Sequence, residues 1–105
     1  MNQIVAFKMK LKPGLKDEYK RRHDMIWPEL SKLLKEAGIS NYSIFLDEET
    51  NILFAVQSIS GSSNSQDLSK NEIVKKWWAY MADIMDSNAD NSPVTKSLET
   101  MFHLE

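Results

Sequence analysis

The chain has 105 residues, 42% hydrophobic and 27% charged, with a net charge of −2 and no cysteine. That length supports one domain, residues 1–105, with a single modest core, and the balance is that of a globular rather than a disordered or fibrous protein. Disulfides and thiol catalysis are excluded, and no apolar run approaches the roughly 20 residues of a membrane span.

The N-terminus "MNQIVAFKMKLK" has four apolar residues in succession and reads as a strand, not a signal peptide, so the cytoplasm is the expected compartment. Charge is uneven: residues 1–35 carry nine Lys/Arg against four Asp/Glu, and residues 36–105 carry four against eleven. A basic half can mark nucleic-acid binding. Here a solvated helix face and outward-pointing Lys8 and Lys10 account for it, and no nucleic-acid partner is expected.

Val5, Phe7, Met9 and Leu11 alternate with Ala6, Lys8 and Lys10, the period of a strand with one wet face. "KPG" at 12–14 turns the chain. From Leu15 the spacing becomes helical, with Tyr19, His23, Ile26, Leu30 and Leu34 on one stripe and Gly38 as C-cap. Pro28 cannot donate to the carbonyl of Asp24, so this helix is expected to break or kink near 24–27, with Asp24 capping a second segment. Strands at about 41–47 and 52–59 flank the acidic turn "DEETN", forming a hairpin. The run "ILFAV" is apolar at consecutive positions, which suggests burial on both faces. "SGSSNSQ" at 60–66 is a polar loop. A second helix is expected from Asp67 to Met85, then a turn-rich loop at 86–94 and a last strand "SLETMFHL".

The order β-α-β-β-α-β predicts an α+β, ferredoxin-like fold: a four-stranded antiparallel sheet with both helices on one face. The other face needs a cover. A second copy, sheet against sheet, is the simplest one, giving a homodimer of the dimeric α/β barrel type.

His23 sits on the apolar stripe with Tyr19 four residues before it and Trp27 four after. A core histidine, hydrogen-bonded and silent, satisfies the same pattern. An imidazole near its reference pKa of about 6.5 could equally exchange a proton at neutral pH. A helix C-terminus favours imidazolium, while Arg21 and Arg22 oppose it. In "KKWWAY", Trp77 and Trp78 point roughly 100° apart, so they cannot share one direction. Either can fill core or interface, yet aromatic faces also stack on sugar C–H surfaces. Tyr42 adds a similarly amphipathic hydroxyl.

The two histidines lie 80 positions apart without clustered carboxylates, so no metal is expected. No nucleotide-binding glycine motif or G-x-S-x-G element is present, so no cofactor and no serine nucleophile are expected. The third strand lacks the aromatic pattern that stacks RNA bases.

Taken together, "EYKRRHDMIWPEL", "NYSIFLDEETNILFA", "WWAYMADIM" and "DNSPV" resemble the L-rhamnose mutarotase family. The resemblance implies a ferredoxin-like dimer that interconverts the α and β anomers of L-rhamnopyranose without cofactor. It places the proton-donating histidine on His23, sugar-binding tyrosines on Tyr19 and Tyr42, and tandem tryptophans on Trp77 and Trp78. The partner base is open between Tyr19, Asp83 and a bound water. The stretch "SGSSNSQDLSKNEI" departs from the family pattern, because it is serine-rich and lacks a bulky side chain on the approach to the second helix. That departure bears on the pocket edge and the sugar preference. Two other readings stand beside this one: a cofactor-free monooxygenase on the same dimeric architecture, and a non-catalytic sugar-binding dimer.

Overall fold

The computed structural model describes residues 3–61 and 63–105; Met1, Asn2 and Ser62 of the predicted polar loop lie outside them. Strand β1 (Gln3–Lys10) leads into helices α1 (Lys16–Asp24) and α2 (Pro28–Glu36). Strands β2 (Ile39–Asp47) and β3 (Ile52–Ile59) form the hairpin, followed by helix α3 (Glu72–Met81) and strand β4 (Lys96–Leu98). The sheet order is β2-β3-β1-β4 with every pairing antiparallel, as the element order predicts.

Alternation in β1 and β3 builds the core. Phe7 pairs with Ala55 and Met9 with Leu53, and all four are buried beneath Leu30, Val74, Trp78 and Met81. The opposite side of β3 stays half-buried along Ile52, Phe54 and Val56, so the consecutive apolar run is covered on one face within the chain.

Proline separates the two helices as expected, but Asp24 does not cap the second. Asp24 ends α1 and takes an ion pair from Lys20 at 2.7 Å. Trp27 is the N-cap of α2, held extended at φ −60°, ψ 129° by the following Pro28. Pro28 occupies the first turn, where no donor is needed. At the far end, Gly38 takes φ +88°, and a Cβ there would run into the Ser60 hydroxyl, so glycine is required.

Helix α3 is shorter than the predicted 67–85 span. Asn64 caps a 3-10 turn at Ser65–Asp67, accepting from the Gln66 N–H at 2.8 Å. Asn71 then starts the α-helix by accepting from the Ile73 N–H at 2.9 Å. Local side-chain acceptors thus divide what hydrophobic spacing reads as one helix. Ile84 and Met85 remain buried after the helix ends, in a segment stitched to β1 by the Asp86 N–H donating to the Lys10 carbonyl at 3.0 Å.

The last strand is also shorter than expected. Only Lys96–Leu98 pairs with β1. Met101 and Phe102 beyond it are 87% and 80% exposed, because no apolar surface among the described residues covers them.

Strand β2, at the edge of the sheet, is irregular at one point. Ser40 pairs with Ser58 and Ser43 with Val56, so Asn41 and Tyr42 together stand opposite Gln57 in a β-bulge. Asn41 takes the left-handed φ of 48° that the bulge needs.

Candidate active site

Between the helices and the β2 side of the sheet lies a cavity of about 850 Å³, within the range of small-molecule sites, about 300–1,000 Å³. All five residues singled out in the sequence line it: Tyr19, His23, Tyr42, Trp77 and Trp78. Three elements contribute them. Helix α1 supplies the first two, one turn apart; the bulge in β2 supplies Tyr42; α3 supplies both tryptophans.

The His23 ring is gripped on two sides. It stacks on Tyr19 with centroids 4.3 Å apart and meets Trp77 edge-on at 5.4 Å. Its Nδ1–H donates to the Tyr19 carbonyl oxygen at 3.2 Å. A carbonyl can only accept, so the proton of the neutral ring belongs on Nδ1 and the lone pair on Nε2. Nε2 makes no hydrogen bond among the described residues, and it is not sealed from its surroundings. It is the nitrogen free to exchange a proton.

Burial pulls the His23 pKa below its ordinary 6.5, opposed by the hydrogen bond to Tyr19 and by the Asp24 charge. The neighbouring arginines add little because their charges are engaged elsewhere. Arg21 holds Glu18 at 2.6 and 2.9 Å. Arg22 donates to Glu18 at 2.7 Å, to Asp83 at 2.8 and 3.2 Å, and to the Tyr80 carbonyl at 2.7 Å. Its guanidinium also lies over the Tyr80 ring, 4.5 Å from the centroid. This network ties α1 to the end of α3 and so fixes the frame that carries His23.

It also bears on the three candidate bases. Asp83 is held by Arg22, which lowers its pKa, and it is not part of the cavity wall. Tyr19 has its pKa raised by burial first and by nearby Tyr42 second, so it keeps its proton and is a donor. Neither of these two side chains is therefore suited to take the proton from the sugar.

The tandem tryptophans answer the question their spacing raised. Both are buried and both reach the cavity. Trp77 also packs edge-on against Trp27 at 5.1 Å and beside Tyr80 at 5.7 Å, so α1, the α2 cap and α3 share one aromatic cluster. Trp27 joins it from the N-cap of α2, although the helix that would have aligned it with His23 is broken.

The sequence reading missed Gln57, Ser65 and Gln66. Ser65 and Gln66 line the cavity, and Gln57 lies behind Ser65 with no exposed surface. A signal for Gln57 was present: a lone polar residue in the inward register of Leu53, Ala55 and Ile59.

The family model for L-rhamnose mutarotase matches residues 4–104. The chain belongs to the L-rhamnose mutarotase family. A protein named L-rhamnose mutarotase from Formosa agariphila is 63% identical over 101 residues, covering 96% of this chain and 97% of its own. One of that name from Bacteroides thetaiotaomicron is 59% identical over 100 residues, covering 95% and 96%. The crystal structure of an L-rhamnose mutarotase from Formosa agariphila superposes with a TM-score of 0.92 at 60% identity, over 98% of this chain and 99% of that one. The family's fold and this chain's fold are therefore the same.

Proposed function

We propose that this protein interconverts the α and β anomers of L-rhamnopyranose, or of a closely similar 6-deoxy sugar, by acid–base ring opening. One observation carries the proposal: His23, with Nε2 free, shares a single cavity with both tyrosines and both tryptophans, in a chain whose relatives bear the mutarotase name.

The chemistry rests on what each group can do. In its charged form His23 gives the Nε2 proton to the ring oxygen. The C1–O5 bond breaks as water takes the anomeric hydroxyl proton, and an aldehyde forms at C1. After rotation about C1–C2, the ring oxygen attacks the other carbonyl face. Neutral His23 takes the ring-oxygen proton back, the new anomeric oxygen is protonated, and no atom is gained or lost. A positioned acid of this kind contributes roughly 10²–10⁴-fold. Tyr19 and Tyr42 keep their protons and serve as donors to sugar oxygens, while Trp77 and Trp78 supply apolar faces for the C–H surfaces and the 6-methyl group.

We also propose that the working form is a homodimer joined through the open face of the sheet. Phe45 is 62% exposed there, Ile4 and Leu98 are exposed, and Phe54 and Val56 are half-buried. An apolar face of this kind calls for a partner.

The direct test is exchange-spectroscopy proton NMR on equilibrated L-rhamnose, with L-fucose in parallel. Catalytic amounts of protein are expected to speed exchange between the two anomeric signals of L-rhamnose. No acceleration with either sugar would overturn the proposal.

A further inference from the structure

Gln57 is a polar side chain with no exposed surface, on a strand whose other inward residues are apolar. Such a group is stable only when its hydrogen bonds are made. Gln57 makes two to Ser65: its Oε1 accepts from the Ser65 main-chain N–H at 2.8 Å, and its Nε2 donates to Ser65 Oγ at 2.9 Å, while the same amide also faces the Tyr42 hydroxyl. A main-chain N–H can only donate, so it fixes which end of the amide is oxygen and leaves Nε2 for the hydroxyl. A second amide, Gln66 Nε2, donates to the same Oγ at 3.2 Å.

A serine hydroxyl has two acceptor lone pairs and one hydrogen. Both lone pairs of Ser65 are engaged by amides, so its hydrogen must go elsewhere. The phenolic oxygen of Tyr42 lies 3.5 Å from Ser65 Oγ, a long contact in which Ser65 donates. The bulge in β2 brings these groups together by setting Asn41 and Tyr42 opposite Gln57. When Ser65 donates to the Tyr42 oxygen, the Tyr42 hydrogen is left for a ligand.

We propose that Gln57 and Ser65 are positioning residues for the sugar site, holding the Tyr42 hydroxyl as a hydrogen-bond donor into the cavity. The proposal rests on the mutarotase reading above. The Gln57 amide donates to Ser65, and Ser65 in turn makes the longer 3.5 Å contact to the Tyr42 oxygen, so both are directed the same way. Burial keeps the Tyr42 proton in place at neutral pH, with Ser65 and Gln57 partly offsetting that effect. The loop holding Ser65 is itself braced, because the Asn64 N–H donates to Asp67 at 2.9 Å while Asn64 caps Gln66. Ser65 belongs to the serine-rich stretch singled out in the sequence. The small side chain at position 65 admits the Gln57 amide from behind and leaves the hydroxyl facing Tyr42.

The test is a double-mutant cycle with Ser65→Ala and Tyr42→Phe, read by anomer exchange over a range of L-rhamnose concentrations. Circular dichroism confirms that each variant is folded. Ser65→Ala is expected to raise KM roughly three- to tenfold, the effect of one misdirected hydrogen bond, with kcat changed less than about twofold. Added to Tyr42→Phe, it is expected to cost nothing further, because its target is gone. Ser65→Thr, which keeps the hydroxyl, is expected to stay nearer the wild-type KM than Ser65→Ala. Effects of Ser65→Ala and Tyr42→Phe that multiply would overturn the proposal, as would a Ser65→Ala variant with wild-type KM. A wild-type protein that does not accelerate exchange would overturn the mutarotase reading instead, and this inference with it.

Discussion

The two sides of strand β3 have different fates. Leu53, Ala55, Gln57 and Ile59 are buried beneath the helices, while Ile52, Phe54, Val56 and Ser58 are half-buried on the open face. On the covered side the one polar residue is fully bonded, and its partner Ser65 forms part of the cavity wall. On the open side the apolar residues Phe54 and Val56 lie near exposed Phe45, beside Lys8 and Lys96. The buried Gln57 amide reaches the cavity through Ser65; an uncovered apolar rung bordered by charge suits a joint between molecules. On the proposed function, the two faces of one strand divide the chemistry from the assembly.

That division can be broken most forcefully from the covered side. Trp78→Ala removes a buried ring that belongs to both core and cavity, and is expected to cost about 3–5 kcal/mol of stability, read as a large fall in the urea midpoint. Arg22→Ala leaves the cavity wall intact but cuts the tie between α1 and the end of α3. With charged hydrogen bonds to Glu18 and Asp83 lost, about 1–3 kcal/mol is expected in the same measurement. The hydrogen bonds from Arg21 and Arg22 hold Glu18 at a pKa of about 2, below its ordinary 4.5. The folded state therefore binds this proton less readily than the unfolded chain. Its stabilisation is present above pH 4.5 and is lost as pH falls toward 2, which acid unfolding of wild type and Arg22→Ala would compare.

The next effect is on rate. Burial holds the His23 pKa below 6.5, so the charged acid form grows as pH falls through that range. The exchange rate is expected to rise with acidity by up to about tenfold per pH unit and to flatten once the ring is charged. A rate that instead rises with pH through the same window would reassign His23 to the anomeric hydroxyl as the base. Stability has the opposite sign. Protonation of a ring with a depressed folded pKa favours the unfolded chain, so this contribution weakens as pH drops below 6.5.

The smallest effect within the subunit belongs to the open face. Phe45 is 62% exposed, so Phe45→Asp is expected to leave the circular dichroism spectrum unchanged. Light scattering is expected to show the mass of a monomer in place of a dimer. A dimeric Phe45→Asp variant would move the joint away from this face.

How far all this could be read in advance depended on how local each feature is. The break at Pro28 and the alternation through Phe7 and Met9 need only neighbouring residues, and both were legible. The start of α3 and the end of β4 were not. Asn64 and Asn71 redirect main-chain donors in a way that hydrophobic spacing does not register. Residues 99–105 had apolar spacing but, among the described residues, no strand to receive them. In the site, His23, Tyr19, Tyr42, Trp77 and Trp78 were found through the family resemblance and share one cavity. Gln57 stood out as a polar residue in an apolar register, but its approach to Tyr42 depends on a bulge that sets residues 15 apart opposite each other, which no local pattern encodes. Assigning Asp24 as a cap failed because the residue before a proline is driven to extended geometry, and that moved the start of α2 to Trp27.

The central claim is that proton exchange at His23 in the covered cavity drives interconversion of the anomers. Anomeric exchange rates of L-rhamnose measured by NMR, with wild-type protein and His23→Ala side by side at one pH, test it most directly. The account predicts clear acceleration by the wild type and a loss of roughly 10²–10⁴-fold in the folded variant. Acceleration that survives the substitution would contradict it.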